Sequence, residues 1–191
     1  MKDIPRFAAT LTFVALIAAG SLAWINKITK PKILTQQQNE LKNALSYVLP
    51  GTDEGTIVAI EEEGEILYYE GYRDRNKTHL VGYAFLVLSK GYSSTIRTLV
   101  GIDSAGTILA IRILSQKETP GLGTRCEEIR SGETTSWWQD QFSCKKSTEI
   151  SVDKDGGEIQ SITGATITSR AITSGIAQRA TKIFQIIKNH R

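Results

Sequence analysis

A β-hairpin is predicted by residues 96–114, whose sequence is IRTLVGIDSAGTILAIRIL. The two flanks of this stretch, Ile96–Ile102 and Ile108–Leu114, are rich in the β-branched and aliphatic residues that favour strands. Between them, Asp103–Gly106 contains the Asp, Ser and Gly residues that favour a tight turn. The pattern therefore predicts two neighbouring antiparallel strands in the middle of the chain.

Strand-like runs continue upstream of the hairpin, and helical patterns lie on either side of the strand region. The runs are Thr56–Ile60, Ile66–Tyr69 and Leu80–Leu88. Apolar residues recur at helical spacing in Gln36–Leu49 and in Ser169–Lys188. The stripe of the second helix consists of Ile172, Ile176, Ala180, Ile183 and Ile187. Strands grouped in the middle with helices at the ends predict an α+β fold.

Composition excludes several classes of protein. The chain has 191 residues, 40% of them hydrophobic and 23% charged, which fits one modest folded domain with an appendage. The net charge of +3, from 23 basic and 20 acidic residues, gives no electrostatic reason to expect nucleic acid as a partner. The two cysteines and two histidines do not have zinc-finger spacing, and two cysteines are too few for a four-cysteine iron–sulfur site, so no metal site is expected.

The appendage is the apolar segment Phe7–Ile25, FAATLTFVALIAAGSLAWI, which carries no charge. A cleaved signal peptide, a buried globular helix and a transmembrane anchor are the three interpretations of such a segment. Its length, its basic flanks and the interfacial Trp24 favour an anchor. Basic residues on both sides leave the orientation open by charge, but the short tail of six residues suggests that the tail stays in the cytoplasm. We therefore predict a cytoplasmic tail and single transmembrane helix at residues 1–30 and one domain, on the far side of the membrane, at residues 31–191.

Two segments have unusual backbone requirements. The first is Glu118–Gly123, ETPGLG, in which Pro120 and Gly121 favour a type II turn. The second is Ser161–Ser169, SITGATITS, which has five hydroxyls and leads into the last predicted helix. Small residues and free N–H groups at a helix start suit a phosphate. The plainer interpretations are an ordinary tight turn and a hydroxyl-rich N-cap, with Thr168 or Ser169 as the capping residue.

These segments carry a resemblance to a known family. Thr163-Gly164-Ala165-Thr166 resembles the Ser/Thr-Gly-Ala-Thr signature of covalently flavinylated FMN-binding domains. The order of Gly91-Tyr92, of Val100–Asp103 with Gly106, of Glu118–Gly123, and of Trp138 four residues before Phe142 is similar to that family too. With the N-terminal anchor, the chain looks like the RnfG family of Rnf electron transport complexes, to which the NqrC proteins of the sodium-pumping NADH:quinone reductase are related.

The resemblance implies a cofactor and its site. A flavin transferase would attach FMN through its phosphate to the hydroxyl of Thr166. Thr163 and the backbone of Gly164 and Ala165 would hold that phosphate. The loop against the isoalloxazine ring would consist of Glu118, Thr119, Pro120, Gly121, Leu122 and Gly123, with Thr119 and Leu122 as the expected contacts. The family often has Asp and His at the positions of Gln160 and Gln116.

The resemblance also implies a place for the protein. The domain would lie on the periplasmic side of the cytoplasmic membrane, among other membrane proteins of the complex. It would carry electrons, without independent catalysis, in a complex that couples electron flow between ferredoxin and NAD to ion movement. A quinone-linked complex, a non-redox assembly role and a reversible binder of a phosphate-bearing ligand are the alternatives. If the domain is extracytoplasmic, Cys126 and Cys144 could form a disulfide.

Overall fold

The computed structural model describes residues 4–190, except for the side chains of residues 6, 54, 189 and 190. The chain divides into two compact units, residues 1–40 and residues 41–191. The boundary that we predict at residue 30 separates the membrane anchor from the domain outside the membrane, and it stays a prediction.

Helix α1, Ile4–Val48, forms the described part of the first unit, and its residues from Leu41 onwards belong to the second unit. The apolar side chains of residues 7–25 are exposed, which contradicts the alternative of a buried globular helix. The hydroxyls of Thr12 and Ser21 donate to the carbonyls of Ala8 and Ile17, at 2.9 and 2.8 Å, so the helix satisfies its own polar side chains there. By length and composition, this helix is suited to cross a membrane.

The second unit is built on a five-stranded antiparallel sheet with the strand order β1-β2-β3-β4-β5. All five predicted strands are confirmed: β1 Ile57–Glu62, β2 Glu65–Tyr72, β3 Leu80–Lys90, β4 Thr95–Ile102 and β5 Ile108–Ser115. The predicted turn between β4 and β5 is confirmed as well. Its Asp103 carboxylate accepts the N–H groups of Ala105 and Thr107, at 2.9 and 2.8 Å.

Helices cover both faces of this sheet. Tyr83, Phe85 and Val87 of β3 belong to a large core with helix α3, Thr166–His190, whose predicted apolar stripe is buried there. Ala84, on the opposite face, belongs to a smaller core with the last turns of α1. The alternation of side chains along a strand thus assigns each helix its own face, and the α+β architecture is confirmed.

Between β5 and α3 the chain forms only short helical segments. These are the 3-10 helices Gly123–Glu127 and Asp153–Asp155 and the one-turn helix α2, Trp137–Asp140. Both cysteines in this region are free. Cys126 is buried in the large core, whereas Cys144 is exposed. The two thiols therefore lie in different environments, and the structure contains no disulfide between them.

The start of α3 differs from the prediction. The helix begins at Thr166, three residues before the predicted Ser169. Neither expected capping hydroxyl caps it, because Thr168 donates to Glu118 at 2.6 Å and Ser169 donates to the carbonyl of Ala165 at 3.1 Å. The helix therefore starts inside the hydroxyl-rich segment, with Thr166 in its first turn.

Candidate functional site

A cleft of about 670 Å³ lies where the loop after β5 meets the start of α3. Residues from three separated segments of the chain line it: Tyr92, Glu118, Thr119, Leu122, Gly123, Gly164, Ala165, Thr166, Ile167 and Thr168. Of these ten residues, Glu118 is the only charged one. The size and the mostly apolar lining are typical of a small-molecule site.

The first turn beside the cleft is Thr119–Leu122. The carbonyl of Thr119 accepts the N–H of Leu122 at 3.2 Å, and Gly121 has a φ of 73°. Proline at the second position and a glycine with positive φ at the third position are the features of a type II turn, so that prediction is confirmed. The turn places Leu122 at the cleft with 42% of its surface exposed.

The second turn, Ile162–Ala165, has the same form. The carbonyl of Ile162 accepts the N–H of Ala165 at 2.9 Å, and Gly164 in the third position has a φ of 79°. A Cβ atom on Gly164 would lie 2.9 Å from the Cδ2 atom of Leu122, so the two turns approach each other closely. This turn delivers the chain directly into α3.

Thr166 lies at the junction of this second turn and the helix, and it is half-buried. The first N–H groups of an α-helix have no acceptor within the helix, and they carry the positive end of the helix dipole. Ser169 donates the first N–H that bonds back, to the carbonyl of Ala165 at 3.0 Å. The hydroxyl of Thr166 is therefore placed where an anionic phosphate is favoured.

Glu118 closes the inner side of the cleft and is only 4% exposed. Its carboxylate accepts hydrogen bonds from the turn between β3 and β4 and from α3. The donors are the N–H groups of Tyr92, Ser93 and Ser94, at 3.0, 3.1 and 2.9 Å, and the hydroxyls of Ser94 and Thr168, at 2.8 and 2.6 Å. Burial by itself would raise the pKa of Glu118, but these hydrogen bonds outweigh it and hold the pKa at about 2, below the ordinary 4.5.

Most of the residues predicted for the site come together at the cleft. Thr163, Pro120 and Gly121 are not among its lining residues. Their positions within the two turns shape the backbone that the lining residues share.

Sequence reasoning missed three lining residues: Tyr92, Ile167 and Thr168. Tyr92 had a signal, since the pair Gly91-Tyr92 belongs to the pattern of the family resemblance, although it was not assigned to the site. Ile167 and Thr168 follow Thr166 directly, and the prediction places them in the segment that precedes the helix. Both lie in the first turn of α3, which begins earlier than predicted, and both line the cleft.

The two glutamines that depart from the family pattern have structural partners. The side-chain oxygen of Gln116 accepts the N–H of Glu118 at 2.7 Å, and its amide donates to Glu127 at 2.7 Å. The carbonyl of Gln160 accepts the indole N–H of Trp138 at 2.9 Å, while its side chain is exposed. Gln116 therefore supports the cleft loop, and the backbone of Gln160 fixes the approach to the second turn.

Comparison with known proteins gives matches over both units. Residues 91–181 match the model of the FMN-binding domain, and residues 1–48 match the model of the RnfG N-terminal region. The first match spans the whole cleft, from Tyr92 to Thr168. A solved structure from Shewanella oneidensis, NqrC, aligns with a TM-score of 0.44 and 13% identity over 71% of this chain and 72% of that chain.

Curated relatives match nearly the full length. The RnfG protein of the ion-translocating oxidoreductase complex of Shewanella amazonensis is 32% identical over 93% of this chain and 86% of its own length. The corresponding protein from Photorhabdus laumondii is 32% identical over 100% of this chain and 94% of its own length. The chain therefore belongs to the RnfG family of ion-translocating oxidoreductase complexes.

Proposed function

We propose that this chain is a membrane-anchored electron carrier that holds FMN covalently, through the FMN phosphate, on the hydroxyl of Thr166. The observation that carries the proposal is the position of Thr166. It is the first residue of a 25-residue helix, it lines the cleft, and it lies within the matched FMN-binding domain.

The phosphate end of the cleft fits a singly charged phosphodiester. None of the ten lining residues is Lys or Arg, so a phosphate there would be held by backbone N–H groups and the helix dipole. A phosphodiester carries one negative charge, whereas the phosphate of free FMN carries nearly two at neutral pH. A site without a cation favours the form with the smaller charge, and Thr163, Gly164 and Ala165 would shape the cradle around it.

The other end of the cleft fits the ring system of the flavin. Tyr92, Leu122 and Ile167 are 70%, 42% and 54% exposed at the cleft, and such apolar surface is stabilised when a flat apolar group covers it. We expect Leu122 and Thr119 to lie against the isoalloxazine ring. When bound, the flavin would supply the redox chemistry, which this chain's own side chains do not provide.

The attachment is a phosphoryl transfer and moves no electrons. Thr166 Oγ1 forms a bond to the phosphorus of a phosphoric anhydride of FMN, such as flavin adenine dinucleotide. The anhydride bond breaks, the nucleoside monophosphate leaves, and the hydroxyl proton is lost to a base of the transferase or to water. Because the chain would need a flavin transferase for this step, that enzyme is a proposed partner.

The place of the carrier follows from the anchor and from the relatives. The curated relatives are subunits of ion-translocating oxidoreductase complexes, which implies neighbouring membrane proteins as partners. We propose that α1 spans the cytoplasmic membrane, that residues 31–191 lie on the periplasmic side, and that the assembled complex works between ferredoxin and NAD. This orientation rests on the family resemblance, because basic residues flank the apolar segment on both sides.

Fluorescence of the full-length protein on a denaturing gel tests the attachment. Co-expression with a flavin transferase should give a fluorescent wild-type band, because only a covalent flavin survives denaturation. Thr166→Val should abolish the fluorescence. The control Thr148→Val removes an exposed threonine outside the cleft and should leave it unchanged. A dark wild-type band beside a fluorescent reference flavoprotein, or a fluorescent T166V band, would contradict the proposal.

A further inference from the structure

We propose that Glu118 is a positioning residue for the FMN site, which fixes the first turn of α3 against the turn between β3 and β4. The inference rests on the proposed function, because the turn that it positions carries Thr166. In this role Glu118 acts on Thr166 through its hydrogen bond with Thr168.

The carboxylate joins three segments that are far apart in sequence. Thr168 is 50 residues from Glu118, and the donors at Tyr92, Ser93 and Ser94 are 24 to 26 residues away on the other side. Three consecutive backbone N–H groups converge on one side chain, which fixes the path of that turn. The same carboxylate thereby holds both the segment of Tyr92 at the cleft and the helix start that carries Thr166.

The backbone is shaped around this side chain. A Cβ atom on Gly91 would lie 2.6 Å from Glu118 Oε1, and a Cβ atom on Gly123 would lie 2.6 Å from Glu118 Cβ. Neither contact is tolerated by ordinary side chains, so glycine is required on both sides of the carboxylate. The close fit leaves little freedom for Glu118 to turn towards another partner.

The donors around the carboxylate are all neutral. Among the residues that the structure describes, its hydrogen-bond donors are backbone N–H groups and hydroxyls, and none is Lys or Arg. Hydrogen bonds to an ionised acceptor are about twice as strong as those between neutral groups. An amide in this place keeps one accepting oxygen and points N–H groups at N–H donors, so glutamine cannot replace glutamate.

The link to Thr168 transmits this anchoring to the attachment residue. Thr168 is 1% exposed and lies two residues after Thr166, in the same first turn. Its hydroxyl donates to Glu118 at 2.6 Å, which fixes the rotation of that turn about the helix axis. The direction in which Thr166 presents its hydroxyl is thus set from outside the helix.

Amide hydrogen exchange on the full-length protein in detergent tests this role, with FMN occupancy measured on the same samples. Glu118→Gln and Thr168→Val should speed exchange in peptides covering residues 92–94 and the start of α3 about tenfold more than in peptides from β4, which report global unfolding. Both variants should also incorporate FMN more slowly, and Thr168→Ser, which keeps the hydroxyl, should restore both readouts.

The matched control is Glu70→Gln. Glu70 also accepts a hydroxyl, from Tyr72 at 2.6 Å, but it lies on β2 away from the cleft residues. It should leave exchange at residues 92–94 and FMN incorporation unchanged. If Glu118→Gln does not fold, the pair T168V and T168S decides the question alone.

The outcomes separate the two proposals. Wild-type protein that takes up no FMN from an active transferase overturns the proposed function. Wild-type protein that takes up FMN, with T168V and E118Q matching it in exchange and incorporation, overturns the positioning role alone. Exchange that speeds up equally in β4 and in the peptides around Glu118 would show a general loss of stability alone and would also overturn it.

Discussion

The two glycine turns at the cleft have the same form and different tasks. In Thr119–Leu122 and in Ile162–Ala165 the first carbonyl accepts the fourth N–H, and a glycine with φ near 75° holds the third position. A carboxylate hydrogen bond precedes each turn. Glu118, directly before the first turn, accepts from Thr168, and Ser161, directly before the second turn, donates to the carboxylate of Asp153.

The two carboxylates differ in burial and in the segments that they connect. Glu118 is 4% exposed and connects distant segments, whereas Asp153 is exposed and its bonds to Ser161 stay within one loop. Water competes with hydrogen bonds at exposed groups, so burial makes the first anchor the stronger one. One turn therefore provides rigidity, and the other leads into Thr166, the residue that we propose to carry FMN.

The largest expected effect concerns acid stability. The folded-state pKa of Glu118 is about 2 against an ordinary 4.5, so its stabilising effect is complete above pH 4.5 and is lost as the pH falls towards 2. At pH 6 the wild type should exceed E118Q in unfolding free energy by up to about 3 kcal/mol. At pH 3 the difference should shrink to less than half.

Urea unfolding of both full-length proteins in detergent, at pH 6 and pH 3, measures this difference. Asp153→Asn serves as the comparison for the second turn and should show a smaller change at either pH. If D153N loses as much stability as E118Q at pH 6, burial does not distinguish the two anchors.

The next effect concerns the second turn. In Gly164→Ala the backbone keeps a positive φ that alanine rarely adopts, and the new Cβ lies 2.9 Å from the Leu122 side chain. We expect a loss of about 1–2 kcal/mol in unfolding free energy and slower FMN incorporation, because the start of α3 must shift. Unfolding curves and the mass-resolved fraction of flavinylated protein measure the two effects.

The smallest effect is expected at the first turn. Gly121→Ala places its Cβ in open space, since no atom lies within 4 Å, and only the positive φ of 73° costs energy. The expected loss is about 1 kcal/mol with unchanged FMN incorporation. Equal slowing of incorporation by G121A and G164A would contradict the division of tasks between the turns.

The sequence predicted what depends on local chemistry. The five strands, the Asp103–Gly106 hairpin and the turn at Pro120-Gly121 follow from composition and turn residues, and each is present. The apolar stripe of α3 also follows from its spacing, and it is buried. The interpretation as an FMN-binding domain came from the family resemblance, and the match over residues 91–181 agrees with it.

The misses come from contacts between distant residues. The helix was expected to begin at Ser169 because hydroxyls commonly cap helices. The hydroxyl of Thr168 is instead held by Glu118, and no local pattern reveals a partner 50 residues away. The bonds of Glu118 to residues 92–94 escaped prediction for the same reason, and its motif indicated only a contact with the flavin.

Peptide mass spectrometry of the full-length protein, after co-expression with a flavin transferase, tests most directly the claim that Thr166 carries FMN. Trypsin should release Asp155–Arg170, which contains both Thr163 and Thr166. We expect a mass gain of one FMN less one water, with fragment ions that assign it to Thr166. A modification on Thr163, or an unmodified peptide while a control flavoprotein is modified, would contradict it.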